Sequence, residues 1–342
     1  MGFRDTLALP LLLVPCSVTG QGLRGTVAGA ESGLPLGYSI VILYPNMGSQ
    51  FTDNRGAFAF MDAPVGTYVL SVRQIGYVPL DTQIVINDSG LTLQIALRHL
   101  AIELPPVTIA ATPCRTPGPP NEGDTALVAV FGQLQENARR HALLADSFPF
   151  QFTLELSDRV VNQRGDTGKP EIRKIRFSSS DNHPYEVGRV VEPAWGPWGN
   201  PATTLVIHSA ELQDLGNVDF IRNHCFHLAG RDAIDGDTLV RIDWEPDTRI
   251  ATADMAGSAF LDPVTYELRY TMTSLTQPDR SPLTDVRSMT FRTRFRNIAP
   301  GVPLQDSLTA ITTYRYGGRR TKVNTQRTLD VQFKRPPPVA SN

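Results

Sequence analysis

Thr52-Asp53-Asn54-Arg55-Gly56-Ala57-Phe58-Ala59-Phe60, followed by Ala63-Pro64-Val65-Gly66-Thr67-Tyr68-Val69-Leu70-Ser71-Val72, decides how the amino-terminal part of the chain folds. Asp53 can accept hydrogen bonds from amides two residues on, and Gly56 can take the positive φ that closes a hairpin. Pro64 and Gly66 turn the chain again one strand later. Phe58, Phe60, Tyr68 and Leu70 alternate with small or polar residues, the period of a strand with one buried face.

Working outward, Leu23–Val27 reads as a strand ended by the turn Ala30-Glu31-Ser32-Gly33, and Tyr38–Tyr44 as a β-branched and aromatic run ended by Pro45-Asn46. Downstream lie Gly76-Tyr77 and strands over Thr82–Ile86 and Leu91–Leu97. About seven short strands at this spacing predict a β-sandwich, with Val41 and Leu43 facing Phe58, Phe60, Tyr68 and Leu70.

The ordered series Gly25-Thr26-Val27, Gly33-Leu34-Pro35-Leu36, Thr52 to Phe58, Pro64 to Tyr68 and Gly76-Tyr77 resembles the carboxypeptidase regulatory-like domain, over residues 22–100. That resemblance implies a seven-stranded transthyretin-like sandwich in an exported bacterial protein, without catalytic residues of its own. The same module begins many TonB-dependent outer-membrane receptors. The chain departs from those, because nothing after residue 125 reads as a plug or a long series of barrel strands.

The 342 residues suffice for two cores. The 41% hydrophobic and 19% charged fractions are those of ordinary globular domains, and 27 Pro with 27 Gly favour short strands over a helical bundle. A formal charge of -2 offers no bulk attraction to nucleic acid. Residues 1–22 read as a signal peptide, with Arg4 before the apolar run Thr6–Val14, which is too short to span a bilayer. Plain cleavage near Gly20 or Gly22, lipid attachment at Cys16, and an uncleaved terminus folded into the first domain are the alternatives. No later stretch is long enough for a transmembrane helix.

Residues 101–123 form a proline-rich linker, extended by Pro105, Pro106, Pro113, Pro117, Pro119 and Pro120. Asp124 is placed to cap a helix over Thr125–Ala145, with Leu127, Phe131, Leu134, Ala138 and Ala142 on one face and Gln133, Glu136, Asn137, Arg139 and Arg140 elsewhere. Period two returns from Phe148. Phe148, Phe150, Phe152, Leu154 and Leu156 share a face; so do Val240, Ile242 and Trp244; so do Tyr266, Leu268, Tyr270 and Met272; so do Met289, Phe291 and Phe295; and Leu329, Val331 and Phe333 close the series. The expected fold is therefore mainly β: an amino-terminal sandwich (23–100), then an α+β antiparallel meander or half-barrel with one packed helix (124–335) and a short tail (336–342). Residues 226–272 also resemble the LolA-like lipoprotein-carrier fold, which is a fold analogy and not a function.

Chemistry-bearing residues are sparse. His224-Cys225-Phe226-His227 offers zinc-ligand types, but no second Cys/His pair lies near, and His183 and His208 stand alone in sequence. Asp232, Asp235, Asp237, Asp243 and Glu245 could hold calcium or serve as an acid/base pair, yet Asp235-Gly236-Asp237 is a hairpin signal and the EF-hand spacing is absent. No nucleophile elbow or phosphate loop occurs. Cys114 and Cys225 are left to form a disulfide or stay as buried thiols. Arg292, Arg294 and Arg296 stripe one strand face, and Trp195 with Trp198 makes an aromatic loop; either could be a ligand surface. The reading is an exported, non-catalytic binding protein of the bacterial envelope, without cofactor, whose partner is an envelope protein, a glycan or a lipid. Its alternatives are a periplasmic carrier holding an apolar ligand in a half-barrel cavity, and a hydrolase using the acidic group.

Overall fold

A computed structural model describes residues 22–102, 113–162, 168–181, 183–195, 201–283, 285–315 and 321–337, with backbone alone at 194–195 and 201–205. The expected signal peptide, Cys16 and residues 103–112 of the proline-rich linker lie outside these residues.

The first unit is a two-layer sandwich. Strands β1 (Leu23–Gly29), β2 (Ile40–Tyr44), β3 (Ser49–Phe51), β4 (Ala57–Phe60), β5 (Gly66–Arg73), β6 (Leu80–Ile86) and β7 (Leu91–Leu97) form sheets of order β4-β1-β7 and β3-β2-β5-β6. The deciding turn forms as its residues dictate: Asp53 Oδ1 accepts from the amides of Arg55 (2.9 Å) and Ala57 (2.8 Å). Gly56 sits at φ +73°, where a Cβ would lie 2.3 Å from the Val27 carbonyl oxygen, so no side chain fits. Val41, Leu43, Phe58, Phe60, Tyr68 and Leu70 meet between the layers, each buried apolar side chain stabilising the fold by about 1.5–3 kcal/mol. Strand β3 had no sequence signal, being three residues long with one buried side chain.

Helix α1 (Thr125–Ser147) follows, and Asp124 Oδ1 caps it by accepting from the Leu127 amide at 3.0 Å. Next come β8 (Phe150–Val161), β9 (Glu171–Ser178), the hairpin of β10 (Val191–Trp195) and β11 (Pro201–Ile207), and the short helix α2 (Val218–Asn223). Strands β12 (His224–Ile234), β13 (Asp237–Pro246), β14 (Asp254–Leu261), β15 (Leu268–Thr276), β16 (Val286–Ala299), β17 (Val302–Tyr314) and β18 (Thr321–Phe333) then run as a meander. The last strand returns to pair with β8, giving one nine-stranded antiparallel sheet of order β12-β13-β14-β15-β16-β17-β18-β8-β9. The architecture is thus mainly β, a sandwich followed by a half-barrel with one packed helix.

The helix fills part of the half-barrel. Leu127, Val130, Phe131, Leu134 and Ala138 pack on Phe226, Ile242, Trp244, Ala259, Leu268 and Phe295 of the sheet's inner face. Gly257 belongs to that face, and a Cβ there would lie 2.5 Å from the Trp244 ring, so glycine admits the indole.

Two expectations are corrected. Gln133, Glu136, Asn137 and Arg140, read as lying off the apolar face of the helix, are buried, because the sandwich and the strand turns cover them. Gln133 Oε1 accepts from Gly76 N (2.8 Å), and Asn137 bonds both Tyr266 O (3.0 Å) and Leu268 N (2.9 Å). Arg140 donates to Gly301 O (2.7 Å), Pro300 O (3.0 Å) and Gln74 Oε1 (3.1 Å), and lies 5.7 Å from the Phe51 ring centroid. The second correction concerns phase. A register shift opposite Leu268–Tyr270 puts Leu268 on the inner face but Tyr270 on the outer, beside Phe260 and Leu239. A second shift, between Leu329 and Gln332, interrupts the alternation along β18. A bulge of one residue flips every side chain beyond it.

A candidate ligand cavity in the half-barrel

Beyond the helix the inner face is not filled, and a cavity of about 450 Å³ opens there. Its floor is Phe150, Phe152 and Leu154 of β8, Phe177 of β9, Phe295 of β16, and Leu304 and Leu308 of β17. Thr293, Gln305, Gln326 and Thr328 are interspersed among them, His141 of α1 forms one wall, and residues 206–213 form the roof. The apolar floor was legible as the alternating face of β8. The roof was not, since nothing in Val206–Gln213 marks it as cover.

The roof is tied down through buried polar groups. The hairpin before it packs Val190 and Val191 on Met255, Leu275 and Phe291 of the sheet. Asp214 accepts from the amides of Tyr185 (2.8 Å) and Glu211 (2.8 Å), and Tyr185 Oη donates to Asp254 Oδ2 at 2.6 Å. Burial pushes the Asp214 carboxyl up to about 6, the amides and His224 opposing. Burial, then the neighbouring Asp254 charge, push the Tyr185 phenol upward. His183 and His208, 25 positions apart in sequence, stack at the cavity rim with ring centroids 5.2 Å apart. His208 Nε2 lies 3.1 Å from Glu192 Oε1, and Arg189 Nε donates to the other oxygen, Oε2, at 2.8 Å.

The residues singled out by sequence fall elsewhere. Cys114 and Cys225 are joined by a disulfide with Cα atoms 5.5 Å apart, which ties the linker to β12. His224 is buried, with Phe220 O at 2.7 Å from Nδ1 and Met255 O at 3.1 Å from Nε2, so backbone carbonyls occupy both nitrogens a metal would need. His227 follows three positions on along the same strand, on the opposite face. No three His, Cys, Asp or Glu side chains are grouped for a metal ion among the described residues.

The acidic group is dispersed as well. Asp235 and Gly236 form a positive-φ hairpin turn, and Arg241 binds Asp243 (2.7 Å) and Asp232 (3.0 Å). Arg292, Arg294 and Arg296 lie exposed on the outer face. Asp235 pairs with Arg292, and Asp306 with Arg296 at 3.0 Å. Arg294 borders a separate hollow with Asp237, Asp262 and Arg269. Trp198 lies outside the described residues, and of Trp195 the backbone alone is described, in β10 paired with Pro201.

No family model matches the chain, and no curated protein matches it in sequence. Among solved structures, it is similar to a LolA superfamily protein from Nitrosomonas europaea (TM-score 0.33, 12% identity, covering 60% of this chain and 94% of that one). It is also similar to a DUF1329 family protein from Desulfovibrio piger (TM-score 0.33, 11% identity, covering 60% of this chain and 93% of that one). These likenesses fall in the class that residues 226–272 resemble, and at these values they carry no argument about function.

Proposed function

We propose that the protein is an exported, non-catalytic carrier or receptor for a small apolar ligand, held in the half-barrel cavity. One observation carries this reading: a cavity of about 450 Å³ on the inner face of the half-barrel, floored by phenylalanine and leucine. Protein interiors leave few gaps larger than a water molecule, and apolar cavities of some 300–1,000 Å³ with a few polar groups are typical ligand sites. The acidic residues considered for hydrolysis serve turns and ion pairs, which favours binding over chemistry. Export is supported by the signal-like amino terminus and by the Cys114–Cys225 bridge, which suits an oxidising compartment. We assign the sandwich to the carboxypeptidase regulatory-like class on its seven strands and their turn residues, and give it the role of holding the half-barrel and meeting an envelope partner.

The test is titration of the full chain with N-phenyl-1-naphthylamine, whose fluorescence rises in apolar surroundings. Saturable binding of about one probe per chain is expected. Leu154→Trp, which projects bulk into the cavity from a half-buried floor position, is expected to weaken it at least tenfold without changing the far-ultraviolet circular dichroism. A wild-type chain that gives no saturable signal would refute the carrier reading.

A further inference from the structure

The cavity contains polar atoms that the protein does not pair. Thr328 is 5% exposed, points into the cavity from β18, and its hydroxyl has no hydrogen-bond partner among the described residues. His141 is 6% exposed and lines the same cavity from α1. Its Nδ1 lies 2.9 Å from the Pro303 carbonyl oxygen, an acceptor, so Nδ1 carries the proton and donates. Burial pulls this imidazole below its ordinary value, which keeps it neutral at pH 7. Nε2 is then a bare acceptor, without a partner among the described residues, on the ring edge turned from Pro303.

An unpaired buried hydroxyl costs stability, and a protein retains one where something else completes it; the His141 Nε2 acceptor on the same cavity wall is a second group that such a partner can meet. The charge of that partner follows from the lining. Neither lysine nor arginine lines the cavity among the described residues, whereas Asp181 and Glu211 do. A carboxylate or phosphate brought in would lose its water, gain no cation and face two acids. A cation would find its acids on exposed residues and no carboxylate beside Thr328 or His141 on the floor.

We propose that the cavity selects an uncharged apolar molecule bearing a hydroxyl or amide group, which the Thr328 hydroxyl and His141 Nε2 meet. The proposal rests on the carrier reading and adds the ligand's chemical class to it. Thr328 can donate or accept, His141 can only accept, so the ligand group must include a hydrogen to give. An ether or a pure hydrocarbon of the same shape leaves His141 unpaired and binds less well.

The experiment is displacement of N-phenyl-1-naphthylamine from the full chain at pH 7.5 by decan-1-ol, decyl methyl ether, decanoate and decyltrimethylammonium. Decan-1-ol is expected to displace the probe at about five- to tenfold lower concentration than the ether, with both charged compounds weaker still. Thr328→Val, which keeps the shape and removes a hydroxyl that bonds nothing, is expected to shrink the alcohol-over-ether preference while leaving the denaturation midpoint unchanged or raised. His141→Phe is expected to shrink the same preference; its fold is checked by Trp244 emission, because it also frees the Pro303 carbonyl. Equal displacement by alcohol and ether, tighter binding of either ion, or loss of stability in Thr328→Val would overturn the proposal while leaving the carrier reading in place. If the naphthylamine itself fails to bind, both fall together.

Discussion

Arg140→Met tests whether this one side chain holds the sandwich to the turn between β16 and β17. The guanidinium is fully buried and satisfies three acceptors from two distant parts of the chain, Gln74 in the sandwich and Pro300 and Gly301 in the β16–β17 turn. Methionine keeps much of the volume and leaves the Pro300 and Gly301 carbonyls without a donor, at roughly 1–3 kcal/mol each, while Gln74 Oε1 keeps the Ser39 hydroxyl as its donor. Against that loss stands relief from burying a charge. Burial pushes Arg140 down to about 10, opposed by Glu136 and Glu267, and a shift of that size is about 3 kcal/mol of charge destabilisation that methionine does not incur. The balance is a net loss of about 1 kcal/mol, read as a lower urea midpoint by tryptophan fluorescence. Hydrogen exchange locates the damage: amides at 74–77 and 299–303 are expected to exchange faster, while the β13–β14 ladder keeps its protection. A midpoint within about 0.5 kcal/mol of wild type, or uniform loss of protection across both units, would refute the reasoning.

Two further outcomes are expected. Replacing both Cys114 and Cys225 by alanine opens a covalent loop of 111 residues and is expected to cost about 3–5 kcal/mol, with the same probe; non-reducing mass measurement of the wild type must first show two fewer hydrogens than the free thiols, and two free thiols would end the expectation. Asp214 has a raised folded-state value, about 6 against an ordinary 3.8, so it takes up a proton more readily folded than unfolded. Its contribution is full below about pH 3.8 and is lost as pH rises through about 6, roughly 3 kcal/mol in all. Asp214→Asn is therefore expected to remove that fall from the stability–pH curve; curves that stay parallel between pH 4 and 7 would contradict the assignment.

Elements with local causes were legible. Asp53 with Gly56, Asp235 with Gly236, and Asp124 at the helix start each act within a few residues, and each turn or cap forms where its residues place it. The apolar face of Phe150, Phe152 and Leu154 was legible for the same reason, and it became the cavity floor. What escaped depends on residues far away. Gln133, Asn137 and Arg140 are polar and were read only as lying off the apolar face, yet each bonds a backbone group 57 to 161 positions distant. The inward turn of Thr271 and Thr273 follows from the bulge in β15, and a one-residue insertion in a ladder leaves no mark in an alternating run of apolar and hydroxyl side chains. The pairing of His183 with His208 needs the roof to fold over the sheet, which neither residue announces.

The cavity and the sandwich are not independent features. Phe150 and Leu304 line the cavity, and the same two side chains belong to the core that joins Leu144 of the helix to Tyr38, Ile40 and Phe51 of the sandwich. His141, which closes one wall, is the residue after Arg140, and its Nδ1 holds Pro303 just beyond the turn that Arg140 grips. Packed cores move between discrete arrangements and do not deform smoothly. A partner that displaces the sandwich must therefore disturb the side chains that shape the cavity, and a ligand that reorders Phe150 or Leu304 must act on the sandwich contact in return, by the reciprocity of any linked equilibrium. In this arrangement the amino-terminal sandwich serves as the outer support of the binding wall, and the arginine between the two units is the joint through which either could feel the other.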